Sequence, residues 1–255
     1  MIDFQNINHL LSDFEPVDLA EVASVKLMDR IDSKYVTSVS DLMPFLSMSQ
    51  HDFFVQEING IYLAKYFTVY YDTVENDYYR MHQTKRLNRQ KIRVRNYVDT
   101  NTAFVEVKNK NNKGRTKKVR VACLPDNEIH LDQFDDFLLD KTIFPTESLS
   151  PHVQNTFQRV TLLNKQRTER LTIDFELSFQ NRRTGNSSSV PDICIIELKQ
   201  QGQIPSKAKE MLRTLRIKPQ GFSKYCVGCA LTDPAIFQNF IKQKIRYINK
   251  LNNLK

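Results

Sequence analysis

Glycine is scarce in this chain, which has six glycines in 255 residues and no tryptophan. None of the glycines belongs to a GxxxxGK motif followed by Ser or Thr, and GxGxxG is also missing. These absences exclude a P-loop and a dinucleotide-binding fingerprint, in which backbone amides cradle the phosphates. Any phosphate that the chain binds must therefore be held by side chains.

Metal-ligand spacings are equally scarce. Cys226 and Cys229 form one CxxC, but Cys123 and Cys194 lie far apart, so the second close pair of a structural zinc site is missing. The five histidines form neither HxH nor HExxH. A few irregularly spaced cysteines are typical of a reducing compartment, where thiols stay free.

Long apolar runs are missing as well, since no segment approaches the ~18 apolar residues of a membrane-spanning helix. The segment MIDFQNINHLLSDFEP lacks the basic-then-apolar layout of a signal peptide, and we therefore expect a cytoplasmic protein. What the chain has in excess is positive charge: 37 Lys and Arg against 29 Asp and Glu give a formal charge of +8. This excess favours an anionic partner, whether phosphate, nucleic acid or an acidic membrane surface.

Charged and apolar residues alternate in three predicted strands: QKIRVRNY (90–97), FVEVKNK (104–110) and CIIELK (194–199). Because strand side chains alternate between faces, each segment places its charges on one face and its aliphatic residues on the other. One explanation is a sheet with an apolar face on the core and a charged face in water. The recurrence of the pattern in distant segments favours a second explanation, in which the charged faces surround a ligand.

The predicted fold is mainly β with helices (α+β), as a closed eight-stranded antiparallel barrel, since closure removes exposed sheet edges. KYCVGCALT (224–232) is predicted to be one of the strands. Short helices are predicted within the barrel sequence at LMPFLSM, LDQFDDFLLDKTIF and PSKAKEMLRTLRI, and outside it at residues 3–14 and 234–252. We expect one domain over residues 1–255, with a core at about 25–230. The basic face of the C-terminal helix leaves room for a separate membrane partner.

If the charged side chains of each strand face inward, they fill the lumen of the barrel with cations and a few glutamates. These residues are Lys34, Lys91, Arg93, Arg95, Glu106, Lys108, Lys118, Arg120, Arg159, Arg170, Glu197 and Lys199. Buried charges of one sign are costly unless opposite charges accompany them. A polyanion threading the lumen would supply that compensation, and the glutamates would supply oxygen ligands for a divalent cation that bridges its phosphates.

Several short motifs occur in an order that resembles the VTC domain, the polyphosphate polymerase module of the vacuolar transporter chaperone complex and its bacterial stand-alone relatives. The motifs are RIDSKY, YYDT, KIRVRNY, FVEVKNK, GRTKKVR, TFQRV, RLTIDFEL, IIELK and GFSKY. The resemblance covers roughly residues 25 to 230. The VTC domain belongs to the triphosphate tunnel metalloenzyme superfamily, so the resemblance implies that superfamily for this chain.

The resemblance implies a tunnel whose basic residues bind a triphosphate or polyphosphate together with Mg or Mn. It implies catalytic roles for Lys34, Arg93, Arg95, Lys108, Arg159 and Arg170. It implies phosphate binding by Lys118, Arg120, Lys199, Ser223 and Lys224. Glu197 would be the metal ligand, with Glu106 as an additional candidate.

One departure separates branches of this superfamily. Arg30 and Asp32 of RIDSK stand where the adenylate cyclase and thiamine triphosphatase branch has the two glutamates of ExExK. This difference argues against those two activities and for the VTC branch.

The resulting hypothesis is transfer of the terminal phosphoryl of a nucleoside triphosphate, in the first place ATP, to polyphosphate. The first alternative is a tripolyphosphatase or nucleoside triphosphatase, in which the same tunnel admits water as the acceptor. The second is a non-catalytic module that binds polyphosphate or single-stranded RNA, with Phe67, Tyr70, Tyr71, Tyr78 and Tyr79 stacking on bases. Packing explains these aromatic residues better, and no specific nucleic acid is expected. The oligomeric state stays open.

Overall fold

The structure, a computed structural model, describes residues 4–25, 27, 30–113, 115–125 and 130–252. This part of the chain folds into one mainly antiparallel sheet with helices packed on it, which confirms the α+β fold class. The strands are β1 (Pro16–Val17), β2 (Arg30–Ser38), β3 (Phe53–Gln56), β4 (Ala64–Asp72), β5 (Arg89–Tyr97), β6 (Thr102–Lys110), β7 (Thr116–Cys123), β8 (Ser150–Asn164), β9 (Glu169–Asn181), β10 (Ser187–Val190) and β11 (Ile193–Gln201). The helices are α1 (Phe4–Ser12), α2 (Leu19–Ser24), α3 (Leu42–Ser49), α4 (Asp77–Gln83), α5 (Asp135–Leu138), α6 (Lys207–Thr214), α7 (Lys224–Thr232) and α8 (Lys242–Asn252).

The main path of the sheet has the order β2-β11-β9-β8-β4-β5-β6-β7. β10 extends the sheet beside β9, and the short parallel pair of β1 and β3 joins β8. The three segments with alternating charges are all strands of the main path, as predicted. β6 and β7 form a hairpin in which Glu106 lies opposite Arg120 and Lys108 lies opposite Lys118.

The sheet is open, so the predicted closed barrel is not confirmed. The path ends at β2 and β7, and these two strands do not pair within the described ranges. The free edge of β2 is met instead by the segment before α7: the Gln220 N–H donates to the Lys34 carbonyl at 2.7 Å, and Tyr35 forms a bridge with Pro219. β7 carries exposed cations within residues 117–120, and such charges on an edge strand disfavour further pairing.

The two faces of the sheet differ in the way that the alternation predicted. On the apolar face, buried residues of β8, β9 and β11 pack with α1, α3 and α6, whereas those of β4, β5 and β6 pack with α4 and α5. The opposite face is called the charged face below, because cross-strand pairing places Arg93 and Glu106 on it in one row and Lys34 and Glu197 in another. Burial of the apolar face stabilises the sheet that carries those charges.

KYCVGCALT forms the helix α7, so its prediction as a strand was wrong. A short apolar run does not distinguish a buried strand from a buried helix. The Ser223 side chain accepts the Cys226 N–H and thereby caps the helix. Gly228 allows close packing on the sheet, because a Cβ there would lie 2.7 Å from Phe179 and 2.8 Å from Val153. The helix therefore covers one end of the charged face.

The other predicted helices differ mainly in length. α1, α3 and α6 confirm the predicted helices, whereas the segment 131–144 contains only a 3-10 turn and the short α5. The C-terminal helix begins at Lys242 instead of residue 234. Asp233 accepts the Ala235 N–H, and the Gln238 amide donates to the Ala230 carbonyl, so side chains offer this segment an alternative to helical hydrogen bonds. α8 packs beside α7 in the same apolar cluster.

A β-bulge interrupts β9. The register between β8 and β9 shifts between Thr156 and Gln158, and Glu176 has a φ of 54°, in the left-handed region. The extra residue leaves Glu176 exposed and puts Leu177 and Phe179 into the apolar cluster that holds α7. Because of the bulge, one face of β9 carries charged residues before Glu176 and, after it, the apolar residues that pack on α7.

Candidate active site

Cross-strand pairing brings the predicted site residues of the strands together on the charged face. The rows are Lys34–Glu197, Lys199–Arg170, Asp174–Arg159, Arg93–Glu106–Arg120 and Lys91–Lys108–Lys118. Arg95 lies on the same face, two residues beyond Arg93 on β5. Cations outnumber carboxylates in these rows, so the face attracts anions.

The sheet curls so that distant strands face each other. In the sheet order, β11 and β6 are separated by four strands: β9, β8, β4 and β5. The Glu197 carboxylate on β11 nevertheless interacts electrostatically with the Lys108 ammonium on β6. Partial removal from water lowers the pKa of Lys108 to about 8, and Glu197 opposes this shift. The short segment 220–223 contacts both β2 and β5, since the Gln220 N–H donates to the Lys34 carbonyl and Lys91 Nζ donates to Ser223 Oγ. The charged face is therefore the wall of a groove.

Glu106 is the first of three carboxylates that hold the cations in place. One oxygen accepts from Arg93 Nε at 2.7 Å and Nη2 at 2.5 Å, and the other accepts from Lys118 Nζ at 2.9 Å. The Glu106 side chain is 1% exposed. Burial alone would raise its pKa, but Arg93, Arg95 and Lys118 outweigh burial and lower the pKa to about 2. Glu106 is thus ionised and already paired.

Asp174 is the second carboxylate, and the sequence analysis missed it. Arg159 donates to it from Nε at 2.5 Å and from Nη2 at 2.8 Å, and Lys224 of α7 donates to the same carboxylate. These two cations hold the pKa of Asp174 well below its usual range, although its burial acts in the opposite direction. Its parity with Arg170 in RLTIDFEL is the signal that could have identified it.

Glu197 is the third carboxylate. Its Oε1 lies 2.7 Å from Lys34 Nζ, whereas its Oε2 lies 4.0 Å from Lys199 Nζ. The pKa of Glu197 is lowered, because Lys34 and Lys199 together outweigh its burial. The pKa of Lys199 is lowered to about 8 by burial, and Glu197 opposes that shift. Glu197 therefore has one firmly paired oxygen and one more loosely paired oxygen.

The N-terminus of α7 completes the site from a second element. Lys91 Nζ donates to Ser223 Oγ at 2.9 Å, which ties the helix to β5. Lys224 ties it to Asp174 on β9, and burial lowers the pKa of Lys224 to about 8. A helix N-terminus carries partial positive charge. Ser223 and Lys224 thus lie beside the cations of the strands.

A buried hydrogen-bond network fixes the orientation of α7. The Asp72 carboxylate accepts the backbone N–H groups of Thr73 at 2.8 Å, Tyr78 at 2.8 Å and Tyr79 at 2.9 Å, and it also accepts the Tyr225 hydroxyl. The Tyr225 hydroxyl also lies 3.0 Å from Nδ1 of His152, whose pKa burial lowers to about 3. The network joins β4, α4 and α7, and it holds Ser223 and Lys224 at the groove.

The aromatic residues considered for base stacking lie mostly in the core. Phe67, Tyr71 and Tyr78 pack in the cluster on the apolar face, and Tyr79 packs against α7. Tyr70 differs because it lies opposite Arg93 on the charged face and is 4% exposed. The packing interpretation therefore describes four of these residues well, but Tyr70 also borders the cations.

The described residues offer a metal ion few protein ligands. No group of three or more His, Cys, Asp or Glu side chains in the described ranges could enclose one. Glu197 still fits a cation that takes most of its oxygen ligands from elsewhere, since its Oε2 is only loosely paired. Mg²⁺ is commonly bound in this way, by one or two carboxylates together with phosphate oxygens and water. Glu106 fits less well, because both of its oxygens are engaged by cations.

Several solved structures are similar to the chain at low sequence identity. A putative adenylate cyclase from Bacillus halodurans is 17% identical, with a TM-score of 0.45 over 77% of this chain and 96% of that chain. A putative adenylyl cyclase from Hippeastrum, described as having a dominant triphosphatase activity, is 13% identical, with a TM-score of 0.45 over 79% of this chain and 95% of that chain. The PH1819 protein from Pyrococcus horikoshii is 12% identical, with a TM-score of 0.42 over 77% and 95%.

No curated protein matches the chain significantly. Within the described residues, the helices are too short or too polar to cross a membrane. The model of the VTC domain family matches residues 29–232, which include every strand of the groove and α7. Since this match covers most of its length, the chain belongs to the VTC domain family.

Proposed function

We propose that this VTC domain is a metal-dependent phosphotransferase that moves the terminal phosphoryl of a nucleoside triphosphate onto a polyphosphate chain in the groove. The observation that carries the proposal is the excess of cations over carboxylates on the charged face, together with the Ser223 and Lys224 side chains. Buried cations without matching anions are costly, and a phosphate chain supplies the missing negative charge. ATP, polyphosphate and Mg or Mn are the proposed ligands.

The carboxylates of the groove align the cations before substrate binds. Arg93 is oriented by Glu106 and Arg159 by Asp174, each through two of its nitrogens. The planar guanidinium suits non-bridging phosphate oxygens, and prior alignment lowers the cost of ordering it. The arginines would therefore hold the reacting phosphoryl group without large side-chain movements.

The reaction itself needs alignment and charge neutralisation more than covalent help. A terminal oxygen of the polyphosphate attacks the γ-phosphorus, the bond from this phosphorus to the β–γ bridging oxygen breaks, and a nucleoside diphosphate leaves. The attacking phosphate oxygen is already deprotonated, so the protein needs no dedicated general base. A divalent cation at Glu197, when bound, would offset the charge that develops on the leaving oxygen.

Hydrolysis of triphosphate is the second candidate, and the open sheet favours it. The edges of β2 and β7 are not joined within the described ranges, and Lys118 on the charged face is 42% exposed, so water reaches the groove. Water as the acceptor would yield free phosphate instead of a longer polymer. The residues that bind the phosphates would be the same for both reactions.

Labelled product analysis tests the proposal. Wild-type protein, the Arg93→Ala variant and the Arg213→Ala variant would be incubated with γ-labelled ATP and Mn or Mg, and the products resolved on a gel. Arg213 is exposed on α6 and serves as the matched control. We expect a metal-dependent polymer ladder that Arg93→Ala reduces by about 100-fold or more, while Arg213→Ala keeps it. Free phosphate alone would favour the hydrolase, and absence of turnover would indicate a binding module.

A further inference from the structure

Tyr70 occupies a fixed position between the sheet and α7. It lies opposite Arg93 on β5 and opposite Val153 on β8, and its side chain is almost fully buried. Its ring packs on that of Tyr225, with 5.0 Å between the ring centroids. The hydrogen-bond network of Asp72 holds Tyr225 in turn. Tyr70 is therefore anchored by the elements that form the groove.

The charges around the Tyr70 hydroxyl are mainly positive. Arg93, Arg95 and Lys91 on β5 and Lys224 on α7 all interact electrostatically with it. Burial would raise the pKa of Tyr70, but these four cations lower it to about 8. The nearby carboxylates, Glu106 on β6 and Asp174 on β9, are themselves paired with cations. Other tyrosines with shifted pKa values move upward: Tyr35, Tyr78, Tyr79, Tyr225 and Tyr247.

The cations around Tyr70 offer its hydroxyl only hydrogen-bond donors. Arginine and lysine side chains carry donors only, so none of the four cations can accept the phenol proton. Nearby, Asn155 lies opposite Thr68 on the same face, is 1% exposed, and has no hydrogen-bond partner for either amide atom among the described residues. A buried amide without a partner is destabilising, and a bound ligand would relieve that cost.

We propose that Tyr70 is part of the anion site and that its hydroxyl donates a hydrogen bond to a non-bridging oxygen of the bound phosphate chain. This inference rests on the proposed function, because it adds a neutral donor to the cations assigned there. The neutral phenol binds phosphate, whereas the phenolate repels it. Phosphate binding and loss of the Tyr70 proton therefore oppose each other.

The near-ultraviolet absorbance of tyrosinate measures this coupling directly. The wild-type protein would be titrated with base in the absence and presence of saturating tripolyphosphate, and binding would be confirmed by calorimetry. Without tripolyphosphate, we expect one tyrosine to titrate near pH 8. Tripolyphosphate should move this titration to a pH at least about one unit higher. The Tyr70→Phe variant should lack the early titration and bind tripolyphosphate about tenfold or more weakly.

Tyr71→Phe is the matched control, since it removes a hydroxyl from the adjacent residue on the apolar face. The Tyr71→Phe variant should keep both the early tyrosine titration and the wild-type affinity for tripolyphosphate. If the wild-type protein binds tripolyphosphate while the early titration stays in place, the inference about Tyr70 is wrong and the proposed function stands. If the wild-type protein does not bind tripolyphosphate, the proposed function fails and this inference fails with it. The wild-type titration decides the question even if Tyr70→Phe folds poorly.

Discussion

Replacing Glu106 by Gln tests whether the groove is held together by its ion pairs. The substitution keeps the size of the side chain but removes the charge that pairs with Arg93 and Lys118. Arg93 is 16% exposed, so its charge would be left mostly out of water without a partner. We expect the variant to be less stable at neutral pH.

The size of this effect follows from the pKa of Glu106, which folding lowers from 4.5 to about 2. Since a tenfold change in proton affinity corresponds to about 1.4 kcal/mol, the ionised carboxylate contributes about 3 kcal/mol at neutral pH. A lowered folded-state pKa stabilises the fold above the unfolded-state pKa, and this stabilisation is lost as the pH falls toward the folded-state pKa. The contribution of Glu106 should therefore be complete above about pH 5 and less than half as large at about pH 3.

Urea denaturation at several pH values between about 7 and 3 would measure the difference in free energy of unfolding between wild type and Glu106→Gln. Glu176→Gln is the control, because Glu176 is exposed at the bulge of β9. We expect a difference of about 3 kcal/mol at neutral pH that shrinks with acid, and almost none for the control. Equal stability of Glu106→Gln and wild type at neutral pH, or a difference independent of pH, would refute the reasoning.

Three further predictions concern α7, the proposed metal ligand and the charge of the groove. Gly228→Ala should lower the free energy of unfolding by about 1–3 kcal/mol through overpacking, while Gly221→Ala, whose Cβ would meet nothing within 4 Å, should change it little in thermal denaturation. Glu197→Gln should lower metal-dependent turnover of ATP by about 100-fold, and turnover at the wild-type rate would exclude Glu197 as the ligand. Tripolyphosphate affinity, measured by calorimetry, should fall steeply with added salt, and an affinity independent of salt would argue against electrostatic binding.

The charged face was predictable because strand alternation is a local property. The short segments around Arg93, Glu106 and Glu197 show which charged side chains share a strand face. The antiparallel register then places Arg93 opposite Glu106, and Glu197 opposite Lys34. Asp174 was overlooked because the prediction gave weight to cations and glutamates, although its parity with Arg170 was visible. Its pairing with Arg159 depends on the register of two long strands, which the sequence does not specify by itself.

The role of α7 was not predictable from the same kind of pattern. KYCVGCALT is apolar between Lys224 and Thr232, apart from Gly228, so its periodicity favours neither a strand nor a helix. What makes it a helix is tertiary: the Ser223 cap, the close approach at Gly228 and the bond from Tyr225 to Asp72. The prediction of eight strands in a closed barrel counted this segment as a strand. The observed sheet instead includes the short β1, β3 and β10, and its path ends with β2 and β7 unjoined in the described ranges.

The bulge at Glu176 has a consequence for how the length of β9 can vary. Asp174 and Leu177 share a face although they are three residues apart, because Glu176 is one residue more than a regular strand would hold. A chain that lost Glu176 would have a regular β9 in which Asp174 and Leu177 still share one face of the sheet. A chain that straightened β9 without losing a residue would turn Leu177 and Phe179 to the opposite face of the sheet. The helix α7 would then lose the apolar side chains on which it packs. Related sequences should therefore tolerate a deletion at this point better than an insertion.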